Sequence, residues 1–259
     1  MNAAPFDRAA VRRHRDRAAA RIGTVAPLLA ELAALLIERL DDVTRQFATA
    51  LDVGGRGVVA PLLAARGIAT VSCDLSLPMI RHSPAPRVVA DEEALPFAAA
   101  SFDLVVASLS LHWVNDLPGA LIQLRQALRP GGLLLASVPA LGTLGALRTA
   151  LTEAEAALTG GAAPRVSPFP ELRDCAGLLQ RAGFVLPVAD QTEIDLSYAS
   201  PLALLDELRA AGEANALVAR DRRVPPRALF AAAAAALAGP DGRAMARLRV
   251  AVLTGWAPE

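Results

Sequence analysis

The sequence predicts an α/β fold built around a doubly wound, mostly parallel sheet. Three observations support this prediction. Short apolar runs alternate with helical segments from residue 48 to residue 140, glycines directly follow the first run, and acidic residues follow the first three runs in succession. A helix between two strands of one sheet implies a parallel crossover connection. At 259 residues the chain is long enough for one large domain and short for two.

The first elements of this alternation can be placed from apolar spacing. Apolar residues recur at helical spacing over 27–40 and predict an amphipathic N-terminal helix. Apolar runs that indicate buried strands follow at 48–53, 69–73, 87–90, 102–108 and 133–138. Segments 58–65 and 117–128 carry helical patterns between them. In such a sheet, ligands bind beyond the carboxyl ends of the strands, where the strand order reverses.

The pattern changes after Pro139 and divides the chain into parts of one domain, 1–259. Helices are predicted over 144–158, 171–182 and an alanine run at 231–236, and strands over 184–187, 193–198 and 250–256. We therefore expect an N-terminal helical cap (1–47), a ligand-binding core (48–140), a lid or insertion (141–182) and a C-terminal part of the fold (183–259).

Composition narrows the function classes. Hydrophobic residues make up 54% of the chain and charged residues 20%, which indicates a sizeable buried core. The formal net charge is zero, so no global field favours a nucleic-acid partner. Cys73 and Cys175 lie far apart without metal-ligand spacing, and we predict no metal site. Glycines and prolines interrupt the apolar stretches, which predicts no integral membrane segment and a cytoplasmic location.

A glycine-rich turn after the first strand is the strongest local signal. Asp52 ends the strand, and Gly54, Gly55 and Gly57 follow it immediately before a predicted helix. Glycines let a backbone approach a ligand closely, and a helix N-terminus presents free amides. Alone the motif is weak, because glycine turns between a strand and a helix are common.

Acidic residues at the next two strand ends strengthen the interpretation. Asp74 ends the second strand, where a carboxylate can accept hydrogen bonds from both hydroxyls of a ribose. Asp91 and Glu92 follow the third strand, where they would meet an adenine amino group. A single strand-end aspartate is usually a turn former, but three such positions together predict a nucleoside cofactor. Leu75 follows the second strand and Ser108 ends the fourth, and these two residues complete the predicted site.

The segment after the fourth strand should reach the substrate side of this crevice. Ser110 and Trp113 are predicted to contact substrate, and His112 could act as a general base for a substrate oxygen or nitrogen. The alternative is that His112 begins a helix and Trp113 belongs to the core. His14 and Asp16 have the spacing that begins a non-haem iron site, but their arginine-rich surroundings favour a solvated helix face.

These segments resemble the successive motifs of class I methyltransferases, including the biotin-synthesis methyltransferase group. The resemblance lies in 50–60, 74–76, 90–97, 102–105 and 128–132. A more extensive resemblance, to the mitochondrial complex I assembly factor 5 group, adds 6–8, 108–118, 166–169, 181–184, 212–215 and 255–256. The glycine loop is one residue shorter than the usual Asp-x-Gly-x-Gly-x-Gly pattern.

The resemblance implies a Rossmann-like, seven-stranded sheet with a helical insertion after the fifth strand, and S-adenosylmethionine as the cofactor. It also implies methyl transfer to a small-molecule or protein acceptor. Two alternatives remain open at this point. The chain could hydroxylate an arginine of a complex I subunit, peripherally at the inner membrane, as the second group does. It could also be a non-catalytic assembly chaperone that binds S-adenosylmethionine, which the shortened glycine loop would permit.

Overall fold

The computed structural model describes residues 4–259 as a single sheet with helices on both faces. The α-helices are α1 (Arg8–Ala18), α2 (Ala26–Ile37), α3 (Val59–Ala64), α4 (Leu77–Ile80), α5 (Leu117–Ala127), α6 (Gly145–Thr159), α7 (Leu172–Arg181), α8 (Pro201–Ala210) and α9 (Arg227–Leu237). The strands are β1 (Thr49–Val53), β2 (Ala69–Asp74), β3 (Arg87–Val89), β4 (Phe102–Ser108), β5 (Leu128–Pro139), β6 (Val185–Tyr198) and β7 (Ala244–Trp256). Short 3-10 helices occupy Ala19–Thr24, Glu38–Asp42 and Leu111–Trp113.

The seven strands lie in the order β3-β2-β1-β4-β5-β7-β6. Strand β7 pairs antiparallel with both β5 and β6, and the pairs among β1 to β5 are parallel. The predicted doubly wound, mostly parallel, seven-stranded sheet is therefore confirmed. The strand order reverses between β1 and β4, which places the expected crevice at the carboxyl ends of these two strands.

Two apolar cores, one on each face, explain why the central strands are apolar throughout. On one face, side chains from α5 and α7 such as Leu121 and Leu179 pack on the sheet. On the other face, Leu36 of α2 and Leu63 of α3 pack on it. Strand β4 is buried almost along its whole length, as expected for a parallel strand covered on both sides.

The C-terminal strands differ from the sequence prediction. The predicted strands 184–187 and 193–198 form one strand, β6, which pairs with β7 from Val185 to Tyr198. The register shifts between Val185 and Val188, where Leu186 adopts a φ of 49°. Pro187 is tolerated there because β6 is an edge strand with a single partner. The middle of β6 is polar and exposed because it lies on this unpaired edge. The predicted break between 184–187 and 193–198 is therefore wrong.

Helix α1 is attached to a distant segment and lies over the carboxyl edge of the sheet. Asp7 caps the helix by accepting from the amide of Ala10. The amide of Asp7 donates to the carbonyl of Ala216, and the Asp7 carboxylate accepts from Arg220 at 2.8 Å. Phe6 forms an antiparallel bridge with Leu217. The chain thus brings residues 6–18 and 213–220 to the same edge.

No single helix within residues 4–259 is long and apolar enough to cross a membrane. The stretches Arg8–Thr24 and Ala26–Asp42 reach that length and composition only as a pair bent by 92°. Most of the apolar residues of α2 are buried against the sheet.

Candidate cofactor crevice and acceptor cavity

The glycine loop after β1 folds back onto β2. The amides of Gly54 and Gly55 both donate to the carbonyl of Cys73, at 2.8 and 2.9 Å. The amide of Gly57 donates to the hydroxyl of Ser83 at 3.2 Å. Gly54 and Gly57 have φ values of 75° and 84°, a left-handed conformation that favours glycine. The shortened loop is therefore a tight turn whose glycine amides are engaged within the protein.

The predicted carboxylates meet at the carboxyl ends of β1, β2 and β3. Asp52 and Asp74 are fully buried, and Asp52 accepts from Ser72 at 2.9 Å. Asp74 accepts from the amide of Ser76 at 2.7 Å. Glu92 is also buried, whereas Asp91 is partly exposed. The sequence therefore assigned these side chains to the correct edge of the sheet.

Two arginines of α1 are inserted among these carboxylates. The guanidinium of Arg15 donates to Asp74 and reaches Glu92 Oε1 at 3.3 Å, and its side chain is only 4% exposed. Arg8 donates to Asp91 Oδ1 at 2.5 Å and also to Glu92. The arginines and carboxylates form one continuous ion-paired cluster over the crevice. His14-Arg15-Asp16 is not the solvated helix face that its composition predicted, because Arg15 is buried and Asp16 accepts from Ser76.

Burial dominates the protonation of the two central aspartates. Burial and, to a smaller extent, the neighbouring Asp74 raise the pKa of Asp52 to about 7, although the hydrogen bond from Ser72 opposes them. Burial also raises the pKa of Asp74, against the opposing effect of Arg15. Arg15 therefore favours the ionised form of Asp74, and burial opposes it.

A largely apolar cavity of about 300 Å³ adjoins the crevice. It touches Arg56 of the glycine loop and Leu109 after β4, so one side lies at the strand-order reversal. Its apolar wall comes from α2, α6, α8, α9 and β6 and includes Leu28, Leu32, Leu147, Leu151, Leu205, Leu208, Phe230 and Leu196. The polar residues at the crevice side are Arg56, His112, Trp113 and Glu213.

Glu213 organises the polar side of this cavity. Its Oε2 accepts from Trp113 Nε1 at 2.8 Å and lies 2.8 Å from His112 Nε2. Arg56 Nη1 lies 3.5 Å from Glu213 Oε1, and Arg56 also donates to the carbonyl of Leu109. Burial alone would raise the pKa of Glu213, but His112, Arg56 and Arg15 together lower it to about 2. Glu213 is therefore a carboxylate at neutral pH.

The remaining residues that the sequence singled out lie around this junction. Ser110 is fully buried beside Gly54, where an added Cβ would lie 2.3 Å from the Ser110 Cβ. Ser108 ends β4 and pairs with Ser137 of β5. Leu75 is partly buried against the Phe6–Trp113 cluster.

Sequence reasoning missed Arg8, Arg15, Arg56 and Glu213. Of these, Arg56 stands inside the glycine motif and Glu213 inside the Gly212–Asn215 segment that carried the resemblance. The sequence therefore contained a signal for Arg56 and a signal for Glu213. Arg8 likewise stands in the 6–8 segment of that resemblance. Arg15 had no such signal, because it belongs to an arginine-rich segment and its partner Asp74 lies 59 residues away.

Comparison with known proteins identifies the family. A family model described as "Methyltransferase domain" matches residues 51–136. The mitochondrial arginine-hydroxylase NDUFAF5 of Danio rerio is 36% identical over 265 residues, which cover 98% of this chain and 83% of that protein. The chain belongs to the methyltransferase family. The malonyl-[acyl-carrier protein] O-methyltransferase of Xylella fastidiosa is 35% identical over 268 residues, covering 98% of this chain and 89% of that protein.

Solved structures share the fold at low sequence identity. A putative methyltransferase of Bacillus halodurans has a TM-score of 0.59 at 15% identity and covers 88% of this chain and 99% of its own. The [4+2]-cyclase SpnF has a TM-score of 0.54 at 20% identity, covering 88% of this chain and 80% of its own. The fold alone therefore does not fix the reaction.

S-adenosylmethionine is the cofactor of class I methyltransferases, and the crevice can be compared with its chemistry. Asp74 and Glu92 offer acceptor oxygens of the kind that ribose hydroxyls and an adenine amino group need. Arg15 now donates to those oxygens, so it takes the place of the nucleoside donors. The carboxylates at these strand ends therefore have the chemistry that a nucleoside needs, and Arg15 is their donor in this structure. The glycine amides, by contrast, are already engaged within the loop.

Proposed function

We propose that this protein transfers the methyl group of S-adenosylmethionine to an O–H or N–H group of a largely apolar acceptor. The acceptor, a small molecule or a segment of a protein, would lie in the cavity with its reactive group beside His112. One observation carries this proposal: His112, a residue of the cavity lining, contacts Glu213 through Nε2, and its other ring nitrogen has no hydrogen-bond partner within residues 4–259.

The tautomer of His112 follows from its partner. A carboxylate can only accept hydrogen bonds, so the Nε2 of His112 must carry the proton that points to Glu213. The neutral ring then has an unprotonated Nδ1. That atom is buried and has no hydrogen-bond partner within residues 4–259. His112 is thus oriented as a general base, as a carboxylate orients the histidine of a hydrolase triad.

The cavity supports an apolar acceptor held close to the crevice. Bound S-adenosylmethionine supplies a methyl group that is already activated, so the protein's main task is to position the acceptor. The leucines of α2, α6 and α8 would bury the acceptor body, and Trp113 would border its reactive end. Ser110, which is fully buried beside Gly54, would support the wall behind it. His112 Nδ1 would take the proton that the acceptor loses.

The predicted cofactor residues have separate roles in this proposal. Asp74 would hold the ribose, and Asp91 and Glu92 would hold the adenine. Leu75 and Ser108 would border the nucleoside. The loop from Asp52 through Gly54, Gly55 and Gly57 would shape the wall beside the amino-acid portion.

A tritiated methyl donor tests the proposal. Purified protein is incubated with S-adenosylmethionine labelled in the methyl group and with fractionated extract of cells that lack the protein. Label should move into an acceptor fraction. His112→Gln keeps a donor to Glu213 but removes the base, so we expect a roughly 100-fold slower reaction. His82→Gln, at an exposed histidine, is the matched control.

The outcomes separate the acceptor classes. Equal rates in wild type and His112→Gln would refute the role of His112. They would favour an acceptor that is already an anion, such as the carboxyl group implied by the name of the Xylella fastidiosa relative. No label transfer to any fraction would refute methyl transfer and favour the non-catalytic chaperone.

Hydroxylation of an arginine is the second candidate, because the Danio rerio relative with that name matches 98% of this chain. Here the partner would be a respiratory complex I subunit, met peripherally at the inner membrane, whereas a soluble acceptor would be met in the cytoplasm. Mass spectrometry of a co-purified partner distinguishes the two reactions. A gain of one methyl group raises the mass by about 14 Da and a gain of one oxygen by about 16 Da.

A further inference from the structure

We propose that helix α1 is a latch on the nucleoside crevice, in which Arg15 gates cofactor entry. Arg15 occupies the oxygens of Asp74 and Glu92 that a nucleoside would need, so the seated helix and the bound cofactor exclude each other. This inference concerns cofactor access and does not depend on which acceptor is methylated.

Burial makes the exclusion strict. The side chain of Asp74 is 0% exposed and that of Glu92 is 2% exposed while Arg15 is in place. No ribose hydroxyl can reach either carboxylate unless the guanidinium moves. Arg8 also donates to Glu92 and to Asp91, and the side chain of Asp91 stays 30% exposed.

Helix α1 is held in place by few apolar contacts of its own. Its own buried residues, apart from Arg15, are the small or medium side chains Ala10, Val11 and Ala18. A helix of this size buries little apolar area, so polar contacts contribute much of its attachment. These are the ion pairs of Arg8 and Arg15 and, at the start of the helix, the contacts of Asp7 with Ala216 and Arg220. Buried ion pairs give a small net stabilisation, because desolvation opposes the attraction. A ligand that satisfies the same carboxylates can therefore compete with the helix.

The latch also connects the crevice to the acceptor cavity. Phe6, just before α1, packs edge-on against Trp113, with ring centroids 5.3 Å apart. Trp113 in turn donates to Glu213. Movement of α1 would disturb this contact, and Trp113 would report it. Trp113 and Trp256 are the two tryptophans of the chain, so Trp256→Phe leaves Trp113 as a single fluorophore.

Calorimetric titration with S-adenosylhomocysteine, which cannot donate a methyl group, tests the latch directly. Arg15→Gln removes the ion pair, and we expect at least tenfold tighter binding than in wild type. Arg12→Gln is the matched control on the same helix, because Arg12 is exposed and lies 4.0 Å from Asp16; its affinity should equal that of wild type. Equal or weaker binding by folded Arg15→Gln, or no binding by either protein, would overturn the latch.

A second measurement uses the protein without a change at Arg15. Saturating S-adenosylhomocysteine should speed amide hydrogen exchange over residues 8–18 and shift the Trp113 emission of Trp256→Phe. If the helix instead closes over the ligand, exchange over 8–18 slows, and the latch is wrong. Unchanged exchange with bound ligand would reject it equally. These readouts do not involve methyl transfer, so they can fail while the proposed reaction stands.

Discussion

Replacing Glu213 with Gln should lower the free energy of unfolding by an amount that depends on pH. The change removes the charge that holds Trp113, His112 and Arg56 while keeping the shape of the side chain. The pKa of Glu213 falls from an ordinary 4.5 to about 2 in the folded protein. Because a tenfold change in proton affinity equals about 1.4 kcal/mol, this carboxylate stabilises the fold by about 3 kcal/mol at neutral pH.

The pH dependence has a definite sign. A carboxyl group with a lowered folded pKa contributes fully above its unfolded pKa, and the contribution is lost as the pH falls towards the folded pKa. The difference between wild type and Glu213→Gln should therefore be about 3 kcal/mol at pH 6 and smaller by about 1.4 kcal/mol at pH 3.5. Urea unfolding followed by circular dichroism measures both values. A difference below about 0.5 kcal/mol at pH 6, or one that does not shrink in acid, would refute the account of Glu213.

Three further predictions concern the loop and the core. Because the pKa of Asp52 is raised to about 7, chiefly by burial, its carboxyl carbon should titrate near neutral pH by NMR. The free energy of unfolding of wild type should therefore fall relative to that of Asp52→Asn as the pH rises from 5 to 8. Titration of Asp52 near pH 4 would contradict this. Gly57→Ala should destabilise the protein by about 1–3 kcal/mol in thermal unfolding, because φ is 84° and the new Cβ would meet a carbonyl oxygen at 2.7 Å. Gly23→Ala is the control and should leave the stability unchanged, because the space around Gly23 is open. Equal effects of the two changes would exclude backbone strain as the cause. Leu121→Ala should lower the free energy of unfolding, measured in urea, by about 2–5 kcal/mol, because Leu121 is fully buried. The same change at the exposed Leu35 should lower it by less than about 1 kcal/mol. Similar losses in the two variants would contradict the placement of Leu121 in the core.

The sheet and its acidic edge could be predicted because both depend on local patterns. Short apolar runs fix the central strands, and strand ends determine where Asp52 and Asp74 lie. Parallel strands in one sheet then bring those ends together without further information. The length of β6 could not be predicted in this way, because an edge strand lacks the continuous apolar pattern of a buried one.

The ion pairs of α1 could not be predicted because they depend on tertiary contacts over long sequence distances. An arginine-rich helix usually faces solvent, and its sequence does not indicate that Arg15 meets Asp74 59 residues away. Glu213 is similar, since its partners His112 and Trp113 lie about 100 residues earlier. Each pair needs the fold to be known before its members can be matched.

The most direct test of the nucleoside crevice compares two proteins that both lack the latch. S-adenosylhomocysteine is titrated by calorimetry into Arg15→Gln and into Arg15→Gln with Asp74→Asn, so that loss of the Arg15 pair does not mask the effect of Asp74. If Asp74 holds the ribose, the second protein should bind about 5- to 150-fold more weakly, a loss of about 1–3 kcal/mol. Equal affinities in the two proteins would show that the carboxyl end of β2 does not bind the cofactor.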